Sequence, residues 1–352
     1  MSQTTKSTKR KSYSQVLEKS LKYIEKRRNG DIRSLRTPWP SLNLVGIAGL
    51  EWGSMLTVGA RPGAGKTMFV SQILREAHRL NPDQRFNILE FQFEMGDDQY
   101  GARQFSAEVA KDYATVLSAD RPLDEFILDM IKQYIVHTKQ LEKMGLTRGI
   151  ISESSTVAEI EHEIRLAYAE GGSLPMIVTL DHSWLIKKSK SDKDKFDVLY
   201  NTTDMLMKLK NEIPIIVIMI TQLNRSIEEA ARRTPSSIAN YPTASDIFGG
   251  DALMQGSDMV VVLSRPHELD IKSYGPYAYE VDDEDVFVHL IKVRNGKKKK
   301  SILFMNIDGE NQRMIEVPDF TATRPDGAYT RFSQRGGGGS RTAVSAPIGN
   351  EL

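Results

Sequence analysis

The stretch Val58-Gly59-Ala60-Arg61-Pro62-Gly63-Ala64-Gly65-Lys66-Thr67 limits what this chain can fold into more than any other. Residues 55–58 before it are apolar enough for a buried strand, and residues 67–80 after it carry Phe69, Val70, Ile73, Leu74 and Ala77 at helical spacing. The glycines therefore fall at a strand-to-helix junction. There the unpaired N–H groups of a helix N-terminus face any bound anion, and Gly63 and Gly65 let the main chain approach it closely. Lys66 is placed to reach β and γ phosphates, and the Thr67 hydroxyl to ligate Mg²⁺. The strict pattern G-x-x-x-x-G-K-S/T wants glycine at position 60, where Ala60 stands; a small side chain meets that need. A glycine-rich turn that merely precedes a lysine would not require the apolar strand and helix beside it. ATP with Mg²⁺ is the expected ligand, and Arg61, Pro62, Gly63, Ala64, Gly65, Lys66, Thr67 and Met68 are its expected contacts.

With 352 residues, 40% of them hydrophobic, the chain can bury an ordinary core in one large or two modest domains. The absence of cysteine removes disulfides and zinc–cysteine sites and fits a reducing compartment. No apolar run reaches spanning length and the basic N-terminus lacks the apolar core of a secretory signal, so a cytoplasmic protein without membrane contact is expected. The net charge of +1 hides an uneven distribution: lysines and arginines crowd the first 36 residues and fill Lys297 to Lys300, while Asp282 to Asp285 is acidic. Basic segments of this kind suit nucleic-acid phosphates, and a solvated face is the blander account of the same residues.

Residues 1–12, rich in Ser, Thr and Lys, are expected to be disordered. Within a linker at 13–35, Val16, Leu17, Leu21, Tyr23 and Ile24 give an amphipathic helix, set off by Asn29-Gly30-Asp31, that can dock on a neighbouring subunit or on its own domain. Pro38-Trp39-Pro40 marks an extended lead-in. From 36 to 318 apolar strands alternate with helices: strands at 85–93, 176–180, 213–220, 258–263, 286–293, 301–307 and 313–317, helices at 97–111, 156–169 and 196–212, and mixed helical sequence over 112–150. The long polar stretch 225–250 is of a length usually reserved for function or mobility. Residues 319–352, with the Gly336-Gly337-Gly338-Gly339-Ser340 run, read as a flexible tail. The fold class is α/β, with a mainly parallel central sheet flanked by helices, an antiparallel edge made by the last three strands, and an N-terminal amphipathic helix.

Folds of this kind bind ligands beyond the carboxyl ends of the strands. Three polar residues fall there. Asp181 has the form of the acid that holds Mg²⁺ through water, Glu94 can polarise the attacking water, and Gln222 can sense the γ phosphate. Any one of them could be a solvated strand end; three on strands around one phosphate loop point to hydrolysis.

A resemblance then becomes specific. Arg61 to Thr67, Phe93-Glu94-Met95, Thr221-Gln222-Leu223-Asn224-Arg225-Ser226, Ser245-Asp246-Ile247 followed by Gln255-Gly256-Ser257-Asp258, and Lys292-Val293-Arg294-Asn295-Gly296 occur in the order of the motifs of DnaB-type hexameric replicative helicases. The matches span about residues 36 to 317, including a Trp39-Pro40-Ser41-Leu42 lead-in. The resemblance implies a RecA-like fold and a ring hexamer that binds ATP between subunits, holds single-stranded DNA in its channel and unwinds DNA in replication, with a primase or helicase loader as a further partner. It implies that Lys66 and Thr67 contact phosphate and Mg²⁺, that Glu94 is the catalytic base, Asp181 the Walker B acid and Gln222 the γ-phosphate sensor. Arg103, nine residues beyond Glu94, matches an arginine near the nucleotide base. Lys292 and Arg294 match the lysine and arginine finger that enter a neighbour's site.

Two features depart from the family. Phe248-Gly249-Gly250-Asp251 stands where relatives often carry Arg-Glu-Ser-Gly in a DNA-contacting loop, so DNA contact there would fall to Phe248 stacking and to the backbone of Gly249 and Gly250. The region before Arg36 is also too short for the globular N-terminal domain of bacterial relatives, which suggests a reduced phage or plasmid form acting in a bacterial host cytoplasm. A RecA-like ATPase of recombinase, loader or regulatory type, binding DNA without unwinding it, is the alternative. A nucleotide-dependent structural module is a third. The segment 222–226 and the Lys292/Arg294 pair favour the helicase; the lack of cysteine disfavours a zinc-ribbon recombinase, and the single phosphate loop a duplicated clock ATPase.

Overall fold

The structure, a computed structural model, describes residues 10–296, 302–309 and 312–317. Residues 1–9 of the basic arm, the lysines at 297–300 and the tail 319–352 lie outside them. In chain order the helices are α1 (Tyr13–Arg28), α2 (Pro40–Val45), α3 (Lys66–Leu80), α4 (Asp97–Val109), α5 (Tyr113–Leu117), α6 (Glu125–Lys143), α7 (Val157–Glu170), α8 (Lys195–Glu212) and α9 (Gly250–Gly256). The strands are β1 (Ser54–Ala60), β2 (Asn87–Gln92), β3 (Arg148–Ile151), β4 (Met176–Asp181), β5 (Ile215–Gln222), β6 (Met259–Ser264), β7 (Ser273–Tyr274), β8 (Tyr279–Glu280), β9 (Asp285–Val293), β10 (Ile302–Asp308) and β11 (Arg313–Glu316).

Among the described residues, nine strands share one sheet in the order β11-β10-β9-β6-β1-β5-β4-β2-β3. From β6 to β3 the neighbours are parallel, whereas β6–β9, β9–β10 and β10–β11 are antiparallel. The central strand β5 explains why its sequence is an unbroken apolar run. Ile216, Ile218 and Ile220 face a core shared with α3, while Ile215, Val217 and Met219 face one shared with α7, α8 and α9. A strand covered on both faces has no solvated side on which to place polar residues.

Local signals set the boundaries. Thr156 caps α7 by accepting from the Glu159 N–H while Glu159 accepts from the Thr156 N–H, a reciprocal capping box. Ser12 and Gln15 do the same for α1, whose Val16, Leu17, Leu21 and Ile24 are all exposed. None of the described helices is long and apolar enough to cross a membrane.

Four elements depart from the reading of the sequence. The 112–150 segment is α5, α6 and then the edge strand β3, too short for its alternation to show against the helices before it. β3 pairs in parallel with β2, and side chains reinforce the ladder: Arg148 donates to the buried Glu90 of β2, and the Tyr100 hydroxyl of α4 donates to the other Glu90 oxygen at 2.6 Å. The lead-in is not wholly extended, since Pro40 starts the short helix α2. The β7–β8 hairpin covers Phe287 and Phe304 at the antiparallel edge, and the 225–250 stretch is ordered by four 3₁₀ turns before α9. Arg232 closes that stretch, with both terminal nitrogens on the Asp246 carboxylate at 2.9 and 2.8 Å.

Trp39 fastens the lead-in to the phosphate-loop helix. It is 1% exposed, stacks on Phe69 of α3 at 4.1 Å between ring centroids, and donates from Nε1 to the Met314 carbonyl at 2.9 Å. Trp39→Ala should therefore lower unfolding free energy by about 3–5 kcal/mol in a denaturant titration. A loss under about 1 kcal/mol would mean that the lead-in is not an anchor.

Candidate nucleotide-binding site

The phosphate loop sits where β1 ends and α3 begins, and its glycines are held in conformations that other residues resist. Gly63 and Gly65 have φ of 78° and 89°. No atom lies within 4 Å of a Cβ built on Gly63, so the space over the loop is open; a Cβ on Gly65 would strike the Met314 Cε at 2.4 Å. No side chain caps the N-terminus of α3, which leaves its first N–H groups directed into a cleft of about 350 Å³. Pro62, Gly63, Gly65, Lys66, Thr67 and Met68 line that cleft from one side, and Glu94, Arg103 and Gln222 from the others.

The side chains at its base are prearranged. Lys66 is buried, and its ammonium donates to the Arg61 carbonyl at 3.2 Å. Burial pushes the lysine below its usual pKa, against the pull of Asp181 and Glu94 toward the charged form. The Thr67 hydroxyl donates to Asp181 Oδ2 at 3.1 Å, and Gln92 Nε2 reaches the same oxygen at 3.4 Å. Asp181 Oδ1 is buried without a partner. A buried carboxylate oxygen beside a threonine hydroxyl at a phosphate-binding loop is a donor set that fits Mg²⁺. Burial first, and Glu94 second, push the Asp181 carboxyl up to about 6.

The cleft also gathers residues that sequence reasoning passed over. Tyr100, Gln104 and Ala107 of α4 line it, as do Ser71 and Arg75, which follow Thr67 at four-residue intervals along one face of α3. The Arg75 Nη2 is buried with no partner. His182 lies between Asp181 and the sensor position: its Nδ1 accepts from the Trp184 N–H at 3.3 Å, and its Nε2 is 3.4 Å from Gln222 Nε2. With Nδ1 an acceptor, Nε2 carries the proton, and the pairing requires the Gln222 amide oxygen to face the ring. Adjacency to Asp181 was the one signal that could have flagged His182.

Other expected residues are held by partners of their own. The Arg61 side chain turns away to Glu228, with Nη2 at 2.8 Å, so only its carbonyl serves the loop. Ala64 is buried in the core under the loop. Arg103 lies over the Tyr113 ring at 5.6 Å at the rim of the cleft. Phe248, expected to be open for stacking on a base, instead packs in a cluster, edge-on to Trp184 at 4.4 Å and stacked with Phe196 at 5.6 Å. Gly249 starts α9 with φ 66°, and a Cβ there would meet Leu199 at 2.0 Å. Gly249 thus serves close packing of α9 on α8, while a Cβ on Gly250 would press on the Ala244 carbonyl at 2.9 Å.

Lys292 and Arg294 are not near the cleft of their own chain. β9 runs antiparallel to β6, which runs parallel to β1, and the Arg294 N–H donates to the Asp258 carbonyl beside Met55 at the start of β1. At ~3.3 Å per residue, the length of β1 separates the pair from the phosphate loop by roughly 20 Å.

Residues 34–309 match the family described as the DnaB-like helicase C terminal domain. The chain belongs to that family. Among DnaB relatives, the replicative DNA helicase DnaB of Helicobacter pylori is 24% identical over 331 residues, 91% of this chain and 62% of the relative. That of Haemophilus influenzae is 25% identical over 220 residues, 62% of this chain and 43% of the relative. The chain thus spans under two thirds of the length of these DnaB proteins. The solved ATPase domain of G40P superposes with a TM-score of 0.70 at 19% identity, covering 88% of this chain and 99% of that one. A DnaB-like replicative helicase solved in a study of its interactions with primase gives 0.67 at 19%, covering 87% and 67%. The fold is therefore RecA-like, as the DnaB resemblance implied.

The Asp181 shift has two opposite consequences. A carboxyl with a folded pKa of about 6, above its ordinary 3.8, stabilises the fold below pH 3.8 and loses that contribution as pH rises through 6. Metal binding needs the ionised form, so Mg²⁺-dependent affinity for a fluorescent ATP analogue should be full above about pH 7 and fall, approaching about tenfold per unit, below about pH 6. Asp181→Asn should flatten that profile. A wild-type profile no steeper than that of Asp181→Asn would remove Asp181 from the metal site.

Proposed function

We propose that this protein is an ATP-driven DNA helicase that translocates on single-stranded DNA as a ring hexamer in replication. The observation that carries the reading is the division of the sheet: the phosphate cleft stands at one end of β1, and a cation pair, the half-buried Lys292 and the exposed Arg294, at the other, too far away to serve it. Copies arranged head to tail around a ring would join the two ends.

In this reading Lys66 binds the β and γ phosphates, and Thr67 Oγ1 with the Asp181 carboxylate would hold Mg²⁺, whose charge offsets that of the phosphates. Glu94 orients the attacking water and accepts its proton on a carboxylate oxygen, while Gln222 reports the γ phosphate. Arg103 contacts the base end of the nucleotide. The finger pair, from the adjacent copy, stabilises charge only when that copy is correctly seated, which couples hydrolysis to movement around the ring. The exposed apolar stripe of α1 is a second contact between copies. DNA would track the loop at 248–250, and a primase or loader would act with the ring.

The packing of the half-buried Phe248 ring against Trp184 and Phe196 favours a second reading, a RecA-like ATPase of recombinase or loader type whose 245–250 loop does not grip a strand. A forked-duplex unwinding assay with ATP, beside native mass measurement, decides between them. The helicase reading expects strand separation by a hexamer and none with Lys66→Ala; hydrolysis without separation supports the second.

Arg294→Ala should bind nucleotide normally and lose most hydrolysis. Mixing it with Glu94→Ala subunits should restore turnover, because one interface then combines an intact base with an intact finger. No recovery on mixing, with both variants assembled, would place Arg294 in a structural role.

A further inference from the structure

We propose that Asp258 is a positioning residue that aims the Arg294 guanidinium out of its own protomer, toward the phosphate site of the adjacent copy. The proposal rests on the reading of Arg294 as a finger acting across an interface.

The Asp258 carboxylate is divided between two sets of partners. Oδ2 accepts from the Met55 N–H at 3.0 Å and from the Lys210 ammonium, which is 7% exposed. Those two contacts tie the start of β1 to α8 and would satisfy a purely structural aspartate. Oδ1 is turned the other way and accepts from Arg294 Nη1 at 3.1 Å. The carboxylate side chain is 14% exposed and the arginine 46%, so the pair joins a fixed anion to a cation at the surface.

A second contact fixes the plane of the guanidinium. Arg294 Nη2 donates to the Gln255 carbonyl at 3.1 Å, and the Lys292 ammonium donates to the Met254 carbonyl one residue earlier. Both carbonyls belong to the last turn of α9, where the helix leaves its acceptors unpaired and favours cations. Two bonds from adjacent terminal nitrogens hold a planar fork in one orientation, which one bond to a flexible lysine could not. Nε and the second proton of each terminal nitrogen have no partner among the described residues. They are the donors available to a phosphate oxygen. An arginine with free rotamers would lose that order each time a neighbour engaged it.

The test uses the full chain and its variants, with single-stranded DNA present throughout. Asp258→Asn should lower kcat for ATP by about tenfold or more while KM stays within about twofold, and should cost nothing further in an Arg294→Ala background. Mixing Asp258→Asn with Glu94→Ala subunits should restore turnover. Lys210→Gln is the structural control: it removes the other buried cation but leaves Oδ1 on Arg294, so kcat should stay within about twofold. Where Asp258→Asn does not fold, Asp258→Glu, which keeps the charges together but moves the guanidinium by one methylene, should show the same loss of kcat. An unchanged kcat in the folded Asp258 variant, an equal loss in the Arg294→Ala background, or an equal loss with Lys210→Gln would each overturn the proposal. Full turnover by Arg294→Ala alone would instead bring down the finger reading, and this inference with it.

Discussion

A parallel sheet covered on both faces leaves chemistry nowhere to sit except at the ends of its strands. Ile215 to Ile220 of β5 show the cost of that arrangement most plainly: alternate side chains enter separate cores, and no polar group interrupts them until Thr221 and Gln222. The same holds for β4, where Met176 to Leu180 are apolar or buried and the first charge is Asp181. Because β1, β2, β4 and β5 are parallel, their polar ends emerge on one side. Lys66, Glu94, Asp181 and Gln222 converge for that reason, although they are widely spaced in the chain.

The antiparallel edge reverses the logic. β9 returns past β6 and delivers Lys292 and Arg294 to the side where the parallel strands begin. Within one protomer the sheet therefore keeps the anion-binding end and the cation-bearing end apart by its own length. Asp258 stands at the seam of the two regimes, with its N–H on the Met55 carbonyl of β1 and its own carbonyl taken by Arg294. The short helix α9 links this corner to the 245–250 loop, since Gly249 begins it and Met254 and Gln255 end it against the two cations.

Side chains in the cleft are held in a state ready for a ligand more than in a minimum of their own. Asp181 keeps one oxygen on Thr67 and Gln92 and the other buried with no partner, an arrangement that costs free energy until something supplies the missing contact. Lys66 rests on a backbone carbonyl of its own loop, a neutral acceptor that a phosphate would outcompete. Trp39 and Met314 brace the loop from behind, one against Phe69 and the other against Gly65.

Much of this was legible before any coordinates. The phosphate loop, the order of strands and helices from 54 to 222 apart from β3, and the antiparallel edge follow from local periodicity and spacing, because each depends on residues close together in the chain. What could not be read locally were contacts between distant segments. The strand β3 depends on its ladder with β2 and on Arg148 finding Glu90, the fate of Phe248 on Trp184 and Phe196, the turning of Arg61 on Glu228, and the aim of Arg294 on Asp258. The sequence by itself determined which chemical groups the chain owns and which element carries each. Only the tertiary structure decided which way each side chain faces, because orientation is settled by partners that the chain brings together across the fold.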